Sequence, residues 1–169
     1  MNVLVQRAKE LAEYAHGKID HRRKYTGEPY IVHLKEVADM VDLAGGTPEM
    51  IAAAWLHDVV EDTDVPLKRI HAAFGWKIAL YVRFLTDLAE KEFLLVRSDL
   101  QELNREFLRF APSEVKTIKL ADVISNTRSI RDLDPEFSVT YLAEKRLLLP
   151  YLAQGNPALY NQAWRILHE

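Results

Sequence analysis

TPEMIAAAWLHDVVED, residues Thr47–Asp62, decides the fold. Thr47 is a capping residue and Pro48 fits the first turn, so a helix starts here. Met50–Leu56 is apolar nearly all round, which predicts a helix at the centre of a packed domain rather than on its surface. The same helix is expected to continue through His57-Asp58 and Glu61-Asp62, stacking His57 over Glu61 and Asp58 over Asp62 at i, i+4.

Working outward, the chain reads as helix after helix. Residues 3–16 place Val3, Leu4, Ala8, Leu11, Ala12 and Ala15 on one face. Residues 17–29, with two Gly, a Pro and several charges, read as a loop. Helical spacing resumes at Ile31, Leu34, Val37, Ala38 and Val41 and stops at Gly45-Gly46. Further helices are expected over 66–73, 75–89 and 96–110, then from Pro112-Ser113, Asp134-Pro135 (to about 152) and Asn156-Pro157. No alternating run bounded by hairpin turns marks a strand. The expectation is an all-α, single compact domain, residues 1–169, of roughly eight to ten helices.

Composition narrows the chemistry. With no cysteine, thiolate metal sites, disulfides and cysteine nucleophiles are excluded, and any metal must use His nitrogens and carboxylate oxygens. The six glycines form neither GxGxxG nor GxxxxGK, and HExxH and GxSxG are absent. The net charge of −3 points away from nucleic acid and membrane surfaces. The longest apolar run, Met50–Leu56, falls far short of the ~20 residues that span a bilayer. No signal-peptide pattern opens the chain, so a soluble cytoplasmic protein is expected.

Four residues on three helices stand at polar–apolar junctions: His33, His57, Asp58 and Asp122. Two nitrogens and two oxygens suit a divalent ion with open positions for water and substrate, provided that the helices converge. Lys119, Asp122 and Asn126 share one face of the helix that carries Asp122. Lys18, Arg22, Arg23, Lys24 and Lys35, with His16 and His21, give residues 16–35 a positive excess that the overall −3 conceals; it suits a polyanionic substrate, while a solvated surface loop is the ordinary reading of such a charge run.

RKYTGEPYIVH (Arg23–His33), WLHDVVEDT (Trp55–Thr63), FLTDL (Phe84–Leu88) and IKLADVISNTRSI (Ile118–Ile130) together resemble the HD-domain hydrolase of the RelA/SpoT-type alarmone family, in particular its small hydrolase-only members. The resemblance implies an all-α HD-domain bundle in which His33, His57, Asp58 and Asp122 hold one Mn²⁺. It implies that Glu61 and Asp62 handle the attacking water and the leaving oxygen. Arg23 matches the base-stacking arginine, Lys24 a basic residue at the substrate, Asn126 a sugar contact and Arg128 a basic neighbour; Tyr30 shapes the pocket. The implied reaction removes the 3′-pyrophosphate of ppGpp or pppGpp. The implied partner is a small nucleotide, with neither nucleic acid nor membrane; a homo-oligomer stays open.

Two departures stand out. Larger members carry D-R-x-H-N where this chain has DVISN, so Val123 and Ser125 replace an Arg and a His. That bears on nucleotide preference and regulation rather than on hydrolysis. No synthetase domain is expected within 169 residues. A related activity on ppApp-type alarmones or NADPH is the second enzyme reading. A non-catalytic nucleotide-sensing module is the third, and the intact HD and ED residues argue against it.

Overall fold

The computed structural model describes residues 2–87 and 96–169. Among them are ten α-helices, one 3₁₀ turn and no strand, as the all-α reading expects. The order is α1 (Val3–Lys18), α2 (Ile31–Leu43), α3 (Pro48–Leu56), α4 (Val59–Asp62), α5 (Leu67–Phe74), α6 (Trp76–Leu85), α7 (Arg97–Arg109), α8 (Ser113–Leu133), α9 (Pro135–Leu148), the 3₁₀ turn Leu149–Leu152, and α10 (Pro157–His168). Residues 88–95, which hold Leu88 of the FLTDL motif and the end of the helix expected over 75–89, lie outside the described residues.

Local chemistry sets most of the boundaries. Thr47 Oγ1 accepts the Met50 N–H, and Asn156 Oδ1 accepts from Ala158 and Leu159, each ahead of a proline in the first turn. Helix α2 ends in a Schellman motif. Gly46 N–H bonds Val41 O and Gly45 N–H bonds Asp42 O, with Gly45 at φ +79°. Pro150 has no N–H to continue α9, and the chain tightens there into the 3₁₀ turn instead of staying α-helical to 152.

Two helices form the core. Helix α3 buries Met50 and Ala52–Leu56 and packs against α1, α2 and α6. Both helices bury alanines, Ala52–Ala54 on α3 and Ala8, Ala12 and Ala15 on α1, short side chains that suit close approach of two packed helices. Within α1 the apolar face is offset from the expected one: Val5 is buried and Val3 is exposed. Helix α8 buries thirteen of its 21 residues, Lys119 and Asp122 among them, and lies against α2, α9 and α10.

The expected continuous helix from Pro48 to Asp62 is broken at His57-Asp58. His57 Nδ1 bonds Ala54 O at 2.8 Å, taking the carbonyl that a continuous helix offers to the Asp58 N–H. Asp58 relaxes to φ −101°, ψ −2°, and one further turn, α4, follows.

Candidate metal centre and adjoining cavity

The break turns His57 and Asp58 inward. His33 comes from the first turn of α2 and Asp122 from the middle of α8. His57 Nε2 lies 3.0 Å from Asp58 Oδ2 and 3.7 Å from Asp122 Oδ1; His33 Nε2 lies 3.6 and 3.4 Å from the same two atoms. Two ligands each about 2.0–2.1 Å from one ion are separated by about 2.9 to 4.2 Å as their angle runs from 90° to 180°. All four separations fall in that range.

The hydrogen bonds behind the rings fix which nitrogen is free. His57 Nδ1–H donates to Ala54 O. Ser125 Oγ lies 2.9 Å from His33 Nδ1 and gives its own hydrogen to Glu36 Oε2 at 2.6 Å, so the Ser125 oxygen accepts from Nδ1–H. Each Nε2 then presents a lone pair, and both Nε2 atoms are buried without a partner among the described residues. A buried polar atom without a partner is costly, and here two of them face two carboxylates. His33, His57 and Asp58 offer donor atoms all within 4.8 Å of one another, a set that fits a divalent cation; Asp122 falls outside that group but lies 3.4 and 3.7 Å from the two rings.

The electrostatics agree. Burial alone would keep His57 neutral, but the charges of Asp58 and Asp122 outweigh it and draw the ring toward protonation; His33 is drawn the same way, against burial, by Asp122 and Asp58. Burial also opposes ionisation of the two carboxyls, yet His57 acting on Asp58, and Lys119 acting on Asp122, hold both well below the usual carboxylate range. Protons on the rings thus stand where a cation would, and binding one displaces them.

A second layer holds the carboxylates. Tyr30 Oη donates to Asp58 Oδ2 at 2.6 Å, and Asn126 Nδ2 donates to Asp122 Oδ1 at 2.6 Å. Lys119 Nζ, almost wholly buried, sits 3.0 Å from Asp122 and 3.9 Å from Asp87. Asp87 in turn donates its N–H to Glu61 Oε2 at 2.9 Å.

A cavity of about 590 Å³ opens beside the cluster, of a size that suits a nucleotide. Lys24, Glu61 and Asn126 line it, with Asn104, Phe137, Tyr141 and Lys145 opposite. Glu61 is pushed up to about 7 by burial, with the charges of Asp87 and Asp58 adding to it. Asp62 is also pushed up to about 7, by burial and then by Asp58. The two adjacent acids part company: Glu61 turns to the cavity, while Asp62 turns to His21, 4.0 Å away.

Arg23 is buried, its guanidinium 2.9 Å from Ser129 Oγ, 3.5 Å from Asn126 Oδ1 and 3.6 Å from Glu36. With Arg128, which is exposed, it lines a neighbouring cavity of about 270 Å³ rather than the larger one. The basic loop is less positive than its composition suggests, since Lys18 pairs with Asp64, Arg22 with Asp20 and Lys35 with Asp39.

Sequence reasoning missed Glu36, Asp87 and Tyr141 as neighbours of the site, and placed Lys119 on the Asp122 face without giving it a role. Tyr141 is buried, but its hydroxyl has no partner among the described residues and its ring lines the cavity. The signal available for the His33 support was Ser125, a polar residue at the position where larger members of the resembled family carry a His.

A family model described as HD domain matches residues 8–153. A Synechocystis sp. protein named probable guanosine-3′,5′-bis(diphosphate) 3′-pyrophosphohydrolase is 40% identical over 117 residues, 68% of this chain but 15% of that protein. The Xenopus tropicalis guanosine-3′,5′-bis(diphosphate) 3′-pyrophosphohydrolase MESH1 is 31% identical over 131 residues, 75% of this chain and 71% of its own. The chain therefore spans a small part of the large bacterial relative and most of the animal one. A solved structure described as "A metazoan ortholog of SpoT hydrolyzes ppGpp and plays a role in starvation responses" superposes with a TM-score of 0.87 at 25% identity, over 98% of this chain and 94% of that one. No helix among the described residues is long and apolar enough to cross a membrane.

Proposed function

The chain belongs to the HD-domain family, and from that premise we propose that it is a divalent-metal-dependent hydrolase releasing pyrophosphate from the 3′ position of ppGpp and pppGpp, leaving GDP or GTP. The observation that carries this reading is the pair of buried, unpartnered Nε2 atoms of His33 and His57, facing Asp58 and Asp122 at the edge of a nucleotide-sized cavity. These four residues would hold the ion, with Mn²⁺ the proposed metal and the cytoplasm the proposed setting. Once bound, a divalent ion supplies Lewis-acid activation of water and of a phosphoryl oxygen.

The remaining roles fall to the chain's own groups. Glu61, with its proton affinity near neutrality, is suited to take a proton from water or to return one to the leaving ribose oxygen. Asp62 has a proton affinity in the same range and is proposed as a second acid/base group behind Glu61, on the His21 side. Lys24 and Asn126 line the larger cavity and contact phosphate and sugar. Arg23 offers a flat face to the purine, with Arg128 beside it, and Tyr30 keeps Asp58 in place.

The test is a three-substrate assay: metal-free protein reconstituted with Mn²⁺ and given ppGpp, ppApp or NADPH, with release of pyrophosphate or phosphate followed. Pyrophosphate from ppGpp is expected. Pyrophosphate from neither alarmone would overturn the proposal.

A further inference from the structure

A second convergence of ligating atoms lies where α1 runs into the following loop. His16 is in the last turn of α1 and almost fully buried, His21 is half-buried in the loop, and Asp62 ends α4. Each offers one ligand atom within 4.8 Å of the others. His16 Nδ1 and His21 Nδ1 are 2.9 Å apart, and His21 Nδ1 is 4.0 Å from Asp62 Oδ2. The first separation matches two ligands at right angles around one ion, and the second matches a pair nearly opposite each other. At 4.0 Å the carboxylate is too far for a hydrogen bond, but it is at a distance that a shared ion spans.

Hydrogen bonding within the protein does not complete this group. Two neutral imidazoles that meet through their Nδ1 atoms share one hydrogen. An ion between them would instead take both Nδ1 lone pairs, with the hydrogens on Nε2; His16 Nε2 is buried without a partner among the described residues in either case. The group is also held rigid. The His21 ring stacks on Tyr30 at 3.9 Å between centroids and 9° between planes, and His16 stacks on both. A small cavity of about 100 Å³, lined by His16, His21 and Tyr30, adjoins it, with room for an ion and its water. Burial and the neighbouring His21 lower His16 to about 4, so at neutral pH the ring is uncharged and keeps one nitrogen lone pair for an ion.

We propose that His16, His21 and Asp62 form a second divalent-cation site, separate from the His33/His57 cluster. Two imidazoles and one carboxylate with open positions select a borderline ion of the Zn²⁺ or Co²⁺ class. Tyr30 stands between the two sites, its ring on His21 and its hydroxyl on Asp58, so an ion at the second site steadies a residue that positions the first. This inference goes beyond the hydrolase reading, and it gives Asp62 a second task.

The test uses Co²⁺ alone. Metal-free protein is titrated with Co²⁺, followed by visible absorption and by metal analysis after desalting, with circular dichroism confirming the fold of each variant. The wild type is expected to bind two equivalents. His21→Ala and Asp62→Asn, both at partly exposed positions, are expected to bind one tightly. Their second equivalent should weaken by more than the ~10–100-fold typical of losing an outer-shell partner. Asp122→Ala should also bind one, retained at the His16 site. A single equivalent in the wild type, or two tight equivalents in His21→Ala, overturns the proposal. Absence of pyrophosphate release in the substrate assay leaves this result untouched, because the titration reads metal and not turnover.

Discussion

Ser125→Ala removes one oxygen atom and tests whether the support behind His33 matters. The hydroxyl is almost fully buried, accepts from His33 Nδ1 at 2.9 Å and donates to Glu36 at 2.6 Å. In the variant the buried Nδ1–H loses its acceptor, which costs about 1–3 kcal/mol of stability. The ring also loses the contact that fixes its tautomer and rotation. Loss of such a partner typically weakens metal binding about 10–100-fold, or about 1.4–2.7 kcal/mol. The assay is Mn²⁺ affinity by calorimetry, alongside urea denaturation of the metal-free protein. Both quantities should fall, and Ser125→Thr, which keeps the hydroxyl, should recover most of the affinity. Mn²⁺ affinity within twofold of wild type at unchanged stability would mean that His33 is held by something other than the Ser125–Glu36 relay.

Glu61→Gln should lower turnover by at least ~100-fold, the scale of general acid–base catalysis, while Mn²⁺ affinity stays within a few-fold; an active variant would remove Glu61 from the chemistry. Gly155→Ala should destabilise by about 1–3 kcal/mol, read as a lower urea midpoint, because the new Cβ would stand 2.8 Å from Leu120 Cδ1 and 3.0 Å from the Lys116 and Thr117 backbone. Asp62 carries a testable pH signature in metal-free protein. Burial first, and then the Asp58 charge, raise its folded pKa to about 7. Its contribution to stability is therefore full below the unfolded value near 4 and is lost as pH rises through about 7. Asp62→Asn, which cannot ionise, should lose less stability than wild type between pH 5 and pH 8, and equal losses would refute the assigned burial.

What the sequence disclosed follows from the range of each interaction. The caps at Thr47 and Asn156 and the stop at Gly45-Gly46 act within four residues, so they are legible in the string. The break at His57 is equally local but depends on where one imidazole finds an acceptor, and no periodicity carries that. The four ligand candidates could be named because each sits at a junction in its own helix; their convergence is a property of three helices packing together. Glu36 reads as an ordinary exposed acid of α2, and its partner Ser125 is 89 residues away. Nor does the string show that Asp64 pairs with Lys18 of the basic segment from 46 residues on. Glu61 and Asp62 look like a pair, but neighbours on a helix point about 100° apart, and they serve different neighbours.

Helix α8 places Lys119, Asp122, Ser125, Asn126 and Ser129 within three turns, and with them a counter-charge, a candidate ligand, the prop for another candidate ligand, a cavity wall and an anchor for Arg23. All of these are indexed to a single screw. Exchanging any one side chain alters one function, whereas inserting or deleting a residue between Lys119 and Ser129 rotates everything beyond it by about 100°. This helix is therefore free to diverge by substitution and closed to divergence by length.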